Sequence, residues 1–234
     1  MSANADLLGS SEDFRSPTGE PVPQEDDGCA PQRWCPEDFA REQIRSLVRR
    51  VFFTNVGRPV KQVVFSAAEP HLNVATICDE VALALARETR GHVALVAGRQ
   101  RMAETAYARA VARRPALIKP WSTQIAANLW RVQKSGLECS EESGTGLRWV
   151  GCLEELGKEF EYVVIQGAPA GMSSEAVLLG QLTDGIILVL DARRTRRATA
   201  RKIKETMDAA QCRMLGTVLM ERAFPIPDGI YRRL

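Results

Sequence analysis

Short runs of apolar, mostly β-branched residues alternate along this chain with longer stretches of helical periodicity. Lys61–Ala67 (KQVVFSA), His92–Ala97 (HVALVA), Glu161–Gln166 (EYVVIQ), Asp184–Leu190 (DGIILVL) and Met214–Met220 (MLGTVLM) are near-continuous apolar runs. Runs of that length predict strands buried on both faces. Asn128–Val132 predicts a further short strand. Helices are expected over 72–89, 98–114, 147–160, 174–182 and 196–210, and a loop over 133–146. Ahead of the first strand, Ile44, Leu47, Val48 and Val51 recur at helical spacing, and Pro36 suits a first turn. A helix is therefore expected over 36–53, ended by Gly57 and Pro59. Buried strands alternating with amphipathic helices predict an α/β fold, a mostly parallel sheet with helices on both faces. Such folds bind ligands beyond the carboxyl ends of their strands. A site is thus expected among Ser66–Val74, Ala97–Arg101, Gln166–Gly171 and Asp191–Arg197.

Composition narrows the picture. The chain has 234 residues, 45% hydrophobic and 26% charged, enough for one α/β domain with a real core. Residues 1–36 are rich in Ser, Pro, Gly, Asp and Glu and cannot bury enough apolar surface to offset their ordering entropy. They are expected to be a disordered tail, with the domain over 37–234. The net charge of +2 sets up no global field for nucleic acid or an anionic membrane. No apolar run reaches the ~20 residues of a spanning helix, and the N-terminus lacks the pattern of a secretory signal. The expected location is the cytoplasm. The six cysteines include no CxxC pair, and the two histidines supply no close ligand pair, so no metal site is expected.

The order of elements resembles the P-loop domain of the bacterial tyrosine kinases that accompany capsule and exopolysaccharide assembly, and through them the septum-site and partitioning ATPases. The resemblance covers about 40–234. It implies a three-layer P-loop NTPase-like fold. Glu42-Gln-Ile-Arg-Ser-Leu-Val-Arg follows the family's E-x-[FY]-R-x-L-R helix, which implies a role in subunit association for Glu42 and Arg45. Val64–Ala86 aligns without a gap to the phosphate-loop motif, and Ser66 and Ala67 match. Beyond them the motif is overwritten. Its two glycines are Pro70 and Leu72, its lysine is Asn73, and its magnesium-binding Ser or Thr is Val74. The acidic positions of the next two motifs are Ala97, Arg99 and Gln166. A phosphate loop needs glycine's backbone freedom, a lysine for β- and γ-phosphate charge and a hydroxyl for magnesium. Magnesium in turn favours carboxylate ligands. Loss of all these together predicts that ATP and magnesium binding are lost and that the chain is not an enzyme. The autophosphorylated tyrosine cluster is missing too, with only Tyr231 near the end. The resemblance implies as partner the cytoplasmic region of a membrane polysaccharide copolymerase, with recruitment to the inner face of the membrane, or further copies of the chain.

Other readings stay open. A divergent kinase or ATPase would need replacement groups such as Asp191, Glu221 or Arg99. The loop Glu69-Pro-His-Leu-Asn either holds an anion at a helix N-terminus or is an ordinary turn with Asn73 capping the helix. His71 reads as an exposed loop residue with no carboxylate placed near it by the sequence. Arg193, Arg194, Arg196 and Arg197, followed by Arg201, Lys202 and Lys204, form one dense basic run at a helix start, where positive charge opposes the macrodipole. An acidic partner, a phosphate or an anionic headgroup would relieve it, and a solvated helix face is the plainer alternative. Nucleic acid is not expected, since the run has no stacking aromatics.

Overall fold

The computed structural model describes residues 36–54, 57–97, 122–133 and 145–221. The expected tail up to residue 35, the helix over 98–114, most of the loop over 133–146 and the end of the chain lie outside them, and with them Arg99 and Tyr231. Among the described residues, seven strands form one sheet: β1 (Gln62–Ala67), β2 (Val93–Ala97), β3 (Ser122–Ala126), β4 (Leu129–Gln133), β5 (Tyr162–Gln166), β6 (Gly185–Asp191) and β7 (Met214–Met220). Their order is β3-β4-β2-β5-β1-β6-β7. Every neighbouring pair is parallel except β3 with β4.

Among the described residues, five α-helices cover the sheet: α1 (Pro36–Val48), α2 (Val74–Glu88), α3 (Thr145–Glu159), α4 (Ser174–Leu182) and α5 (Arg197–Ala209). Alternate residues of each strand point to opposite faces, so adjacent residues feed different cores. Phe65, Leu95, Val164, Ile187 and Val189 pack with Val81 and Leu85 of α2 and Val48 of α1. Val64, Val96, Ile165 and Leu188 pack with Leu156 of α3, Leu179 of α4, and Ile203 and Met207 of α5. The result is the three-layer arrangement expected from the alternation.

Two departures have local causes. The helix expected to Phe53 ends as α at Val48 and continues as one π-helical turn, Arg49–Phe53. That wider turn sets Phe52 and Phe53 edge-on to Tyr162, with ring centroids 5.6 and 5.9 Å away. The hairpin strand β3 was not expected, because Ile125 is its only large apolar residue. The hairpin turn is anchored by Asn128, whose Nδ2 lies 2.9, 3.0 and 3.1 Å from the carbonyls of Ala86, Thr89 and Gly91. One amide thus ties the end of α2 and the entry to β2 to the hairpin.

Candidate functional site

The loops after β1, β5 and β6 meet at the carboxyl end of the sheet. Ala68 donates its N–H to Val189 O (2.9 Å), Gly167 to Phe65 O (2.9 Å) and Ala170 to Ala67 O (2.8 Å). Ser66 Oγ donates to Ala168 O at 2.6 Å. Gly171 packs so tightly that an added Cβ would lie 2.6 Å from Ala68 O, so no side chain fits there.

Within the loop after β1, the backbone donors turn inward. Leu72 N–H reaches Glu69 O (3.3 Å) and Val74 N–H reaches Leu72 O (3.1 Å). Asn73 caps α2, its Oδ1 accepting from Ala75 N–H at 3.1 Å. Leu72 and Val74 are buried, and both belong to the core cluster that holds Ile187 and Val189. Pro70 and His71 stay at the surface. Of the positions that the resemblance aligns with a phosphate loop, Leu72 and Val74 are here part of the core and Asn73 is a helix cap.

Two carboxylates and a histidine line the same end. Asp191, buried at the end of β6, accepts the N–H groups of Arg193 (2.8 Å) and Arg194 (3.1 Å) on Oδ1. Its Oδ2 lies 3.4 Å from His71 Nε2. Glu69 Oε2 accepts from Thr195 Oγ1 at 3.1 Å and stands 3.9 Å from His71 Nε2. The structure therefore brings to His71 the carboxylate that the sequence did not place near it. The link joins residues 120 positions apart in the chain, and the parallel β1–β6 pairing puts the two loops side by side.

The Arg193 N–H, then that of Arg194, His71 and the Arg194 charge hold the Asp191 carboxyl below the usual carboxylate range, against the opposing effect of desolvation. A depressed folded pKa stabilises the fold above the unfolded value of about 4, and that stabilisation is lost as pH falls through the lowered folded value. Asp191→Asn is accordingly expected to lower the urea midpoint at neutral pH. The difference from wild type should shrink in acid as the native carboxyl protonates. Urea titrations at a series of pH values check this, and a pH-independent difference would rule out the charge as its source.

At the two acidic motif positions within the described residues, Ala97 is buried at the end of β2, and Gln166 closes β5 with its Oε1 buried and without a hydrogen-bond partner. Among the described residues, no group of three His, Cys, Asp or Glu side chains is placed to hold a metal ion.

The residues expected to make contacts divide in two. Arg45 pairs with Glu42 at 2.8 Å within α1 and lies 3.6 Å from Glu88 of α2, which also takes Arg49 at 2.9 Å. The pair implied for subunit association thus also fastens α1 to α2. Arg193, Arg194, Arg196 and Arg197 are all exposed. Further along α5, Arg201 pairs with Glu205 at 2.9 Å, and Lys204 pairs with Asp208.

With this geometry in hand, the relatives can be placed. A tyrosine-protein kinase of Bacillus subtilis, YwqD, is 23% identical over 197 residues, 79% of this chain and 82% of that protein. The tyrosine-protein kinase CpsD of Streptococcus agalactiae is 33% identical over 67 residues, which span 29% of each chain. The chain resembles the bacterial tyrosine-protein kinases. Solved structures agree at the level of fold. The chimerical protein CapA2B2 superposes with a TM-score of 0.60 at 18% identity, covering 81% of this chain and 86% of that one. The VpsO kinase domain gives 0.58 at 17%, covering 80% and 98%. The kinase domain of the Escherichia coli tyrosine kinase ETK gives 0.58 at 12%, covering 80% and 79%. The chain therefore has the three-layer P-loop NTPase-like fold. No protein-family model matches its sequence. No described helix is long and apolar enough to cross a membrane.

Proposed function

We propose that this chain is a catalytically degenerate P-loop kinase-like protein acting as a regulatory or scaffolding partner in exopolysaccharide biosynthesis or export. The observation that carries this reading is the loop after β1. Its Leu72 and Val74 N–H groups bond to the loop's own carbonyls, Asn73 takes the Ala75 N–H, and Leu72 and Val74 are buried in the core. Phosphate recognition by such a loop requires those donors to face outward. Residues needed for Mg·ATP do not fit the group either. Val74 has no hydroxyl, Asn73 no charge, and Ala97 and Gln166 no carboxylate. Asp191, whose carboxylate faces the loop at His71, is engaged by two backbone N–H groups and His71. It does not stand free as a replacement metal ligand, which weighs against a divergent kinase. Glu69 and Asp191 also place negative charge where an anion would enter, which weighs against a simple anion-binding module.

Without turnover, contact surfaces become the working parts. The reading assigns α1 to association with further copies of the chain or with the cytoplasmic region of a membrane polysaccharide copolymerase, and the arginine turn before α5 to a second contact. Calorimetric titration with ATP and ADP, with and without magnesium, tests the central claim. No binding up to millimolar nucleotide is expected. Magnesium-dependent micromolar binding would overturn the reading and restore the enzyme. For α1, Glu42→Ala with Arg45→Ala is expected to weaken self-association in analytical ultracentrifugation, and unchanged association would remove that role.

A further inference from the structure

The arginine turn is more than a run of charge in sequence. Arg193, Arg194, Arg196, Arg197 and Lys202 are exposed, and none makes a close ion pair among the described residues, although the Arg194 charge acts on Asp191. The nearby acids are already engaged. Asp191 and Glu69 are held by backbone N–H groups, His71 and Thr195, while Glu205 and Asp208 pair with Arg201 and Lys204. The first turn of α5 has no acidic residue, and its N-cap, Arg196, makes no side-chain capping bond. The positive end of the helix dipole therefore adds to the arginine charge.

Apolar side chains flank this cationic centre on both sides. Leu219, 58% exposed, lies in register with Leu190 near the end of β7. Ala192 donates its N–H to Met220 O at 2.9 Å, which sets Arg193 beside the same strand end. On the other side Met172, 74% exposed, follows Gly171, which packs against the Ala68 carbonyl and the Ile203 side chain of α5. Isolated exposed apolar residues need no explanation. Two of the most exposed, on either side of a cluster of unpaired arginines, make a mixed surface.

We propose that this surface, the arginine turn between β6 and α5 flanked by Met172 and Leu219, docks on an anionic phospholipid bilayer. Guanidinium forks match the paired oxygens of phosphate headgroups, and flanking apolar side chains enter the interface just below them. A purely ionic contact would satisfy the arginines and leave the two apolar flanks without a role. With a net charge of only +2, the attraction is local and sensitive to salt. The inference takes from the reading above only that the arginine turn is a contact surface, and it is tested without nucleotide, so each can fail alone.

The test is co-sedimentation of the full chain with phosphatidylcholine vesicles, with and without equimolar phosphatidylglycerol, and with soluble poly-glutamate as competitor. Retention on the phosphatidylglycerol vesicles alone is expected, and it should survive poly-glutamate. Each of Arg193→Gln, Arg194→Gln, Arg196→Gln and Arg197→Gln should weaken it about fivefold. Because these side chains are exposed, unfolding midpoints of the Arg193, Arg196 and Arg197 variants should stay unchanged. Met172→Ser with Leu219→Ser should remove the part of the binding that persists in raised salt. Equal retention on both vesicles, or retention indifferent to the arginines, would overturn the proposal. So would capture by poly-glutamate in place of vesicles, which would make the partner an acidic protein surface. Indifference to the Met172 and Leu219 changes would reduce the effect to bare charge adsorption and overturn it equally.

Discussion

Restoring a glycine-lysine phosphate loop by Pro70→Gly, Leu72→Gly, Asn73→Lys and Val74→Thr is expected to destabilise the protein severely and to gain no nucleotide binding. Leu72 and Val74 are buried in the core cluster that also holds Ile187 and Val189. Truncating a buried leucine costs about 2–5 kcal/mol. Losing the Asn73 cap adds about 1 kcal/mol, and an unpartnered buried hydroxyl at position 74 about 1–3 kcal/mol. These terms are not additive, but a loss on the order of 5 kcal/mol is a large share of the roughly 5–15 kcal/mol that holds a domain together. Urea titration reads the stability, and calorimetry with Mg·ATP reads the binding. Nucleotide should still not bind, because Ala97 and Gln166 supply no carboxylate. A quadruple variant as stable as wild type that takes up Mg·ATP would mean that the loop is a phosphate loop with tolerated substitutions.

Phe65→Ala is expected to cost about 3–5 kcal/mol, as for other fully buried aromatics. Phe65 is fully buried on β1, which is flanked by β5 and β6. Its backbone also accepts the Gly167 N–H that holds the loop after β5 against the site. Loss of the ring is therefore expected to loosen that loop, seen as faster hydrogen exchange at Gly167 and Ala170 before global unfolding. A thermal midpoint shift too small to resolve would show that the core beneath β1 can collapse around the gap.

What the sequence disclosed follows from range. Five of the strands are continuous apolar runs, and such runs are legible because burial on both faces leaves no polar positions to blur them. The Asn73 cap was legible as well, since an asparagine directly before an apolar helical run is a local signal. β3 was not, because an edge strand with one large apolar residue carries no pattern and is made by pairing with β4. The His71–Asp191 contact and the Arg45–Glu88 contact were beyond reach for another reason. Each joins residues whose nearness depends on the order of strands and the placing of helices, which no local periodicity encodes. The apolar flanks of the arginine turn fall in the same class. Met172 and Leu219 are unremarkable in sequence, and the fold brings them to either side of Arg193 and Arg194.

The position of β1 also sets the order in which a nascent chain can be completed. Gln62 pairs with Val163 and Val63 with Gly185, so β1, the first of the described strands to be synthesised, has neither of its neighbours until β5 and β6 have emerged. At roughly 5–20 residues per second, the VVFSA segment waits several seconds as an unpaired apolar strand on the ribosome, while the β3–β4 hairpin needs only local closure. Synthesis that stops short of β6 would release a chain with that edge open, a template for aggregation. Slow decoding between the hairpin and β5 would therefore lower the yield of folded protein without altering a single residue.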